Sequence, residues 1–211
     1  MFMNILVTSF VGGLISLDVM TAWQVMISRP VVSAPIIGWL CGDVWTGLVI
    51  GALMELIWIN ILPIGTVIPP DASATTIMAT AQAIFAKQLM PYQSYDVIII
   101  LAIMCAVPLG GLLKKIDIWF KWYNRKFVYV VDKYAQEDNI TGIDNITHLS
   151  ILIIFIKNFL FCVAGIWLGV FLICNLTPLL PVFIKDGLKL AKTLLPALGF
   201  AAVLDIFGMR K

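Results

Sequence analysis

The stretch GLVIGALMELIWINILPIGTVIPPDASATT, Gly47 to Thr76, sits among long apolar runs yet carries two carboxylates, Glu55 and Asp71. It also carries a helix-breaking series, Pro63, Gly65, Pro69 and Pro70. An acid at the centre of a membrane helix costs about 2.5 kcal/mol or more. Backbone broken at that depth must be buried in protein or line a wet cavity. A costly charge beside a broken helix is the pattern of a transporter binding site.

The rest of the chain agrees with that setting. Of 211 residues, 61% are hydrophobic and only 12% charged, with a mean hydropathy of +1.01. Soluble domains carry about 25% charged residues, so the composition is that of an all-α integral membrane protein. A net charge of +2 argues against a nucleic-acid partner. Cys41, Cys105, Cys162 and Cys174 all lie in apolar runs and read as small apolar fillers. With no nucleophile–base pair and no metal-ligating cluster, neither catalysis nor a metal or cofactor is expected. No Lys or Arg precedes Arg29, so a cleavable signal is not expected either.

Outward from the central stretch, residues 4 to 20 are long enough for one span, with Asp18 near the end. Trp23 and Arg29 suit an interface, and Pro30 then stops the helix. Residues 31 to 62 exceed the roughly 20 residues that cross a bilayer, and Gly42-Asp43 splits them. Gly38 with Gly42, and Gly47 with Gly51, have the spacing that lets helices approach closely. Residues 72 to 90 form a half-polar helix, packed inside protein, with Asp71 at the N-cap position. Residues 96 to 113 read as a span ending at Gly110-Gly111.

In residues 114 to 138, Ile116, Trp119, Phe120, Tyr123, Phe127, Val130, Val131 and Tyr134 form one apolar stripe at helical spacing. Six of the chain's basic residues lie mostly off it. The segment reads as an amphipathic helix on the cytoplasmic membrane face, with docking of a soluble partner as the alternative. Residues 139 to 150 read as a polar loop holding the only histidine, His148. Residues 151 to 184 exceed one span, and Asn175 and Pro178 predict a break. In 188 to 208, Lys189, Lys192, Pro196 and Asp205 predict a re-entrant hairpin or a packed helix. The expected architecture is a multi-span helical bundle with broken or re-entrant helices and one cytoplasmic-face amphipathic helix.

The run SRPVVSAPIIGWLCGDVWTGLVIGALMELIWI, followed by LPIGTVIPPDASATTI, resembles the N-terminal half of the membrane component EIIC of the mannose/fructose/sorbose family of sugar phosphotransferase systems. The pieces that carry the resemblance are Arg29-Pro30, Gly42-Asp43, Thr46-Gly47, Glu55-Leu56, Pro63-Ile64-Gly65 and Pro70-Asp71, with Asp186-Gly187-Leu188 as a later landmark. It covers nearly the whole chain, read as one domain over residues 1–211 that is short at its C-terminus. The members it resembles continue past the position of Met209. The resemblance implies a multi-pass protein of the bacterial plasma membrane. In that family EIIC pairs with a second membrane component, EIID, in a larger oligomer. The soluble phosphocarriers EIIA and EIIB relay phosphate from phosphoenolpyruvate, and EIIB phosphorylates the incoming hexose or amino sugar. EIIC carries no phosphoacceptor, in keeping with a single His148.

Sugar hydroxyls donate to carboxylates and amides, most strongly in a dry cavity. Glu55 and Asp71 are therefore the first candidates for substrate binding, with Asn60 and Gln24 second. Against this, Asp71 can serve only as a helix cap, and Glu55 can serve only as a partner for Arg29 or Lys87. Asp43 reads as a turn residue at the membrane edge. Trp39, Trp45 and Trp58 suit either sugar stacking or interface packing. Two other functions fit the same residues: an ion-coupled secondary transporter, and a scaffolding membrane protein without its own substrate contacts.

Overall fold

A computed structural model describes residues 1–19, 21–22, 24–59, 70–206 and 208. These residues form α1 (Phe2–Leu17), α2 (Pro30–Leu40), α3 (Val44–Trp58), α4 (Ala72–Leu89), α5 (Tyr95–Gln136), α6 (Ile140–Leu179) and α7 (Val182–Ile206), and no strand occurs among them.

Helix α4 is the axis of the bundle. Every residue from Ser73 through Ala86 is buried, as its Ala-, Ser- and Thr-rich sequence predicts. The Thr75 and Thr76 hydroxyls donate to the carbonyls of Asp71 and Ala72, at 2.6 and 2.7 Å, so their burial needs no partner on another helix. Glycines on the surrounding helices let them close onto α4. A Cβ at Gly12 of α1, Gly110 of α5 or Gly165 of α6 would come closer than 3.0 Å to Ile77, Thr75 and Met78 respectively. One at Gly169 of α6 would collide with Gln82, whose Nε2 donates to the Gly165 carbonyl at 3.0 Å.

Helices α2 and α3 form an antiparallel hairpin. The turn falls at Gly42-Asp43, as the sequence predicts, with Gly42 at φ +84°. Asp43 caps α3, accepting from Thr46 N at 3.0 Å, and pairs with Lys87 at 2.7 Å. Three of the four glycines paired by spacing pack closely within this hairpin, Gly38 against Gly47 and Gly51 against Pro30 and Ala34, whereas Gly42 has open space at its Cβ position. At 11 and 15 residues, both helices are shorter than a full span.

Helices α5, α6 and α7 are long and apolar enough to cross a membrane. Two boundaries differ from the sequence expectation. First, α5 continues through Gly110-Gly111 to Gln136, so the amphipathic stretch is its C-terminal half rather than a separate helix. Gly110 is there for contact with Thr75, not as a breaker. Second, the polar loop expected at 139 to 150 is the start of α6, capped by Asn139, whose Oδ1 accepts from Gly142 N at 3.0 Å. Helix α6 also runs past Asn175, which donates to the Phe171 carbonyl at 2.7 Å, and past Pro178, ending at Leu179. Of the two readings for the last apolar piece, the packed helix is the one found: residues 188 to 206 belong to α7, which contains Pro196 and packs on α3 and α5. Lys192 of α7 pairs with Asp96 of α5, which absorbs charge that a lipid-facing helix could not carry.

At 42 and 40 residues, α5 and α6 are each about 60 Å long, twice the roughly 30 Å of bilayer hydrocarbon. Their paired ends, around Tyr134 and Gly142, form a hairpin in which the glycine lies against the tyrosine ring.

Candidate functional site

The N-terminus of α4, the open end of the α2–α3 hairpin and the middle of α5–α6 enclose a cavity of about 440 Å³. That is within the range of small-molecule sites. Asp71 and Glu55 both line it. Asp71 enters as the cap of α4, with Oδ1 accepting from Ala74 N at 2.9 Å. Glu55 enters from the last turns of α3 and is held from two sides. Its Oε1 lies 3.2 Å from Arg29 Nη2, and its Oε2 accepts from Val31 N at 3.2 Å. That amide belongs to the first turn of α2, where the helix dipole favours an anion. Both alternative roles read from the sequence are therefore real, and both acids still face the cavity.

Asp18 builds the rim. It is 3% exposed and accepts from Val25 N, Ser28 N and Ser28 Oγ at 2.7, 3.1 and 3.0 Å. Ser28, which Asp18 holds, and its neighbour Arg29 line the cavity. Trp58 lines the cavity, whereas Trp39 and Trp45, near the hairpin turn, are 75% and 68% exposed. Gln24 is exposed, with φ +52°, and does not line the cavity. Asn60 and the Pro63, Gly65 and Pro69 break lie outside the described residues.

The far wall holds residues that were not proposed as site residues from the sequence. Asp117, Phe120, Lys121 and Asn124 of α5, and Ile154, Lys157 and Asn158 of α6, all line the cavity. They follow i, i+3, i+4, i+7 spacing, the one-face signature of a helix. Lys157 and Asp117 form an ion pair across the two helices. The signal was present as polar residues recurring on one face of otherwise apolar segments. On α5, Phe120 belongs to the apolar stripe and Lys121 to the basic residues off it, so the sequence pattern splits residues that the cavity joins.

The fold and the cavity define an all-helical integral membrane protein with a charged internal site. Residues 2–211 match the family described as the PTS system sorbose-specific IIC component, and the chain belongs to that family. It is 26% identical over 180 residues to the PTS system mannose-specific EIIC component of Escherichia coli strain K12, covering 84% of this chain and 64% of that protein. To the PTS system sorbose-specific EIIC component of Klebsiella pneumoniae it is 23% identical over 186 residues, covering 86% and 65%. To the fructose permease IIC component of Bacillus subtilis strain 168 it is 23% identical over 186 residues, covering 86% and 64%. The chain thus spans somewhat less than two thirds of the length of these relatives. Two solved structures share the fold at 24% identity, each covering 100% of this chain and 79% of the other. One is described as "Structure of membrane protein", with a TM-score of 0.75, and the other is a cryoEM structure of the mannose transporter ManYZ in complex with microcin E492, at 0.65.

Proposed function

We propose that this chain is the sugar-translocating EIIC component of a phosphoenolpyruvate-dependent phosphotransferase system of the mannose/fructose/sorbose type. In this reading the cavity holds a hexose or amino sugar, and Glu55 and Asp71 accept hydrogen bonds from its hydroxyls. The observation that carries it is the meeting of these two acids, sixteen residues apart in sequence, at one enclosed cavity. Glu55 is ion-paired with Arg29, and Asp71 accepts from the Ala74 amide. A carboxylate has about four lone-pair sites, which leaves room for sugar hydroxyls. Asn60 stands as a secondary candidate, whereas Gln24, exposed and off the cavity, does not.

An EIID membrane component would cover surface that this chain leaves open. Helix α7 exposes Val182, Phe183, Leu190, Leu194, Leu198 and Phe200, which need lipid or another protein against them. The soluble phosphocarriers EIIA and EIIB would supply phosphate from phosphoenolpyruvate, so the chain itself needs no phosphoacceptor. The short α2–α3 hairpin suits a segment that enters the membrane and returns on the same side. The experiment is sugar uptake into vesicles carrying the chain with its membrane partner. Uptake that requires internal phosphoenolpyruvate and the soluble phosphocarriers supports this reading. Uptake that follows the membrane potential without them would establish an ion-coupled transporter instead.

A further inference from the structure

Asp117, Lys121 and Asn124 of α5 face Lys157 and Asn158 of α6 around the cavity, and the proposed function leaves this wall unassigned. Asn158 is only 3% exposed, and its Oδ1 has no hydrogen-bond partner. The buried Oδ1 of Asn124 has none either. Ser16 Oγ, Ser73 Oγ and Trp58 Nε1, which belong to other cavity-lining residues, share that state. A buried polar atom left without a partner costs about 1–3 kcal/mol, and folded proteins carry few. Nine side-chain atoms among the described residues are in this state, and these five sit on residues that line one cavity. Those residues bring amide and hydroxyl side chains to its wall, the chemistry that meets a hydroxyl-rich molecule.

We propose that the α5–α6 wall is the second half of the sugar site, with Asn158 and Asn124 as its specificity-determining residues. This rests on the reading that the cavity holds a hexose. Carboxylates can only accept, whereas an amide both donates and accepts. The Glu55–Asp71 side therefore takes hydroxyl protons. The amide side donates to hydroxyl oxygens and accepts from hydroxyls in turn. The Asp117–Lys157 pair lines the same wall and offers one charged acceptor and one charged donor. A ring gripped from both sides is sensitive to the orientation of each hydroxyl. An epimer that turns one hydroxyl away leaves an amide unpartnered, and such a mismatch is what hydrogen-bonding sites reject most strongly.

The test is calorimetric titration of the full chain in nanodiscs, with the membrane partner that co-purifies, using mannose, glucose and galactose. The wild type should prefer one of these epimers. Asn158→Asp keeps the side chain's shape but removes its donors. Asn124→Leu removes a half-buried amide. Each should weaken binding of the preferred sugar by about tenfold and narrow the preference among the three. Melting temperature confirms folding, and Asn124→Leu decides alone if Asn158→Asp does not assemble. Unchanged affinity and preference in the folded variants, while Glu55→Gln still weakens binding, would overturn the second wall and leave the first reading standing. No hexose binding by the wild type, or unchanged binding in all variants including Glu55→Gln, would overturn both.

Discussion

Arg29 Nη2 lies 3.2 Å from Glu55 Oε1 across the open end of the α2–α3 hairpin. Arg29 is 55% exposed at its side chain, and exposed ion pairs stabilise by about 1 kcal/mol at most. The arginine therefore orients the carboxylate more than it stabilises the fold. Arg29→Met should leave the melting temperature nearly unchanged and weaken sugar binding by no more than about fivefold. A larger loss in binding than that of Glu55→Gln would make Arg29 a direct sugar ligand.

The α2–α3 hairpin depends on close backbone approach. A Cβ at Gly47 would collide with the Ala34 carbonyl oxygen, and backbone cannot yield as a side-chain tip does. Gly47→Ala should destabilise the protein by about 1–3 kcal/mol. Gly187, inside α7, has open space around its Cβ position. Gly187→Ala should instead stabilise by up to about 1 kcal/mol, the difference in helix propensity. Thermal unfolding in detergent, followed by loss of monodisperse elution, measures both.

The Asp117–Lys157 pair is mostly screened from solvent, with side-chain exposures of 21% and 11%. Removing one partner strands the other. Lys157→Met should lower stability by roughly 1–3 kcal/mol, and adding Asp117→Asn should recover most of it. The same unfolding assay checks the pair. A loss in the double variant equal to the sum of the Lys157→Met and Asp117→Asn losses would show that the two side chains act independently.

Lys121, Arg125, Lys126 and Lys133 lie on the C-terminal half of α5, which leads to its hairpin with α6. Positive charge is retained on the cytoplasmic side. Arg125→Cys in a cysteine-free background should resist a membrane-impermeant thiol reagent applied to intact cells and react once the cells are opened. Ready reaction from outside would reverse the orientation.

Much of this architecture was legible in the sequence, because the decisive residues act locally. Asp71 caps α4, Gly42-Asp43 turns the hairpin, and the small residues of α4 announce a buried helix, all within a few positions in the chain. Helix continuity was harder to read. Gly110, Asn175 and Pro178 look like breakers, yet Gly110 serves a contact with Thr75, thirty-five residues away in sequence, and Pro178 sits only one residue before the helix ends. Half of the cavity was missed for the same reason. Lys157 and Asn158, inside an apolar run, read as facing protein, and they do, but that they share a cavity with Asp117 follows only when α5 and α6 pair.

The central claim is that Glu55 and Asp71 hold the sugar, and Asp71 permits the cleanest test. Its structural duty is the cap on Ala74 N, and asparagine caps about as well as aspartate. Asp71→Asn therefore preserves the helix and removes only the charge. Sugar affinity should be measured on the purified complex for Asp71→Asn and Glu55→Gln. The expected result is a fall of about tenfold to a hundredfold in each, with insertion, assembly and melting temperature retained. Unchanged affinity in both folded variants would contradict the claim and leave the two acids as a cap and an ion-pair partner only.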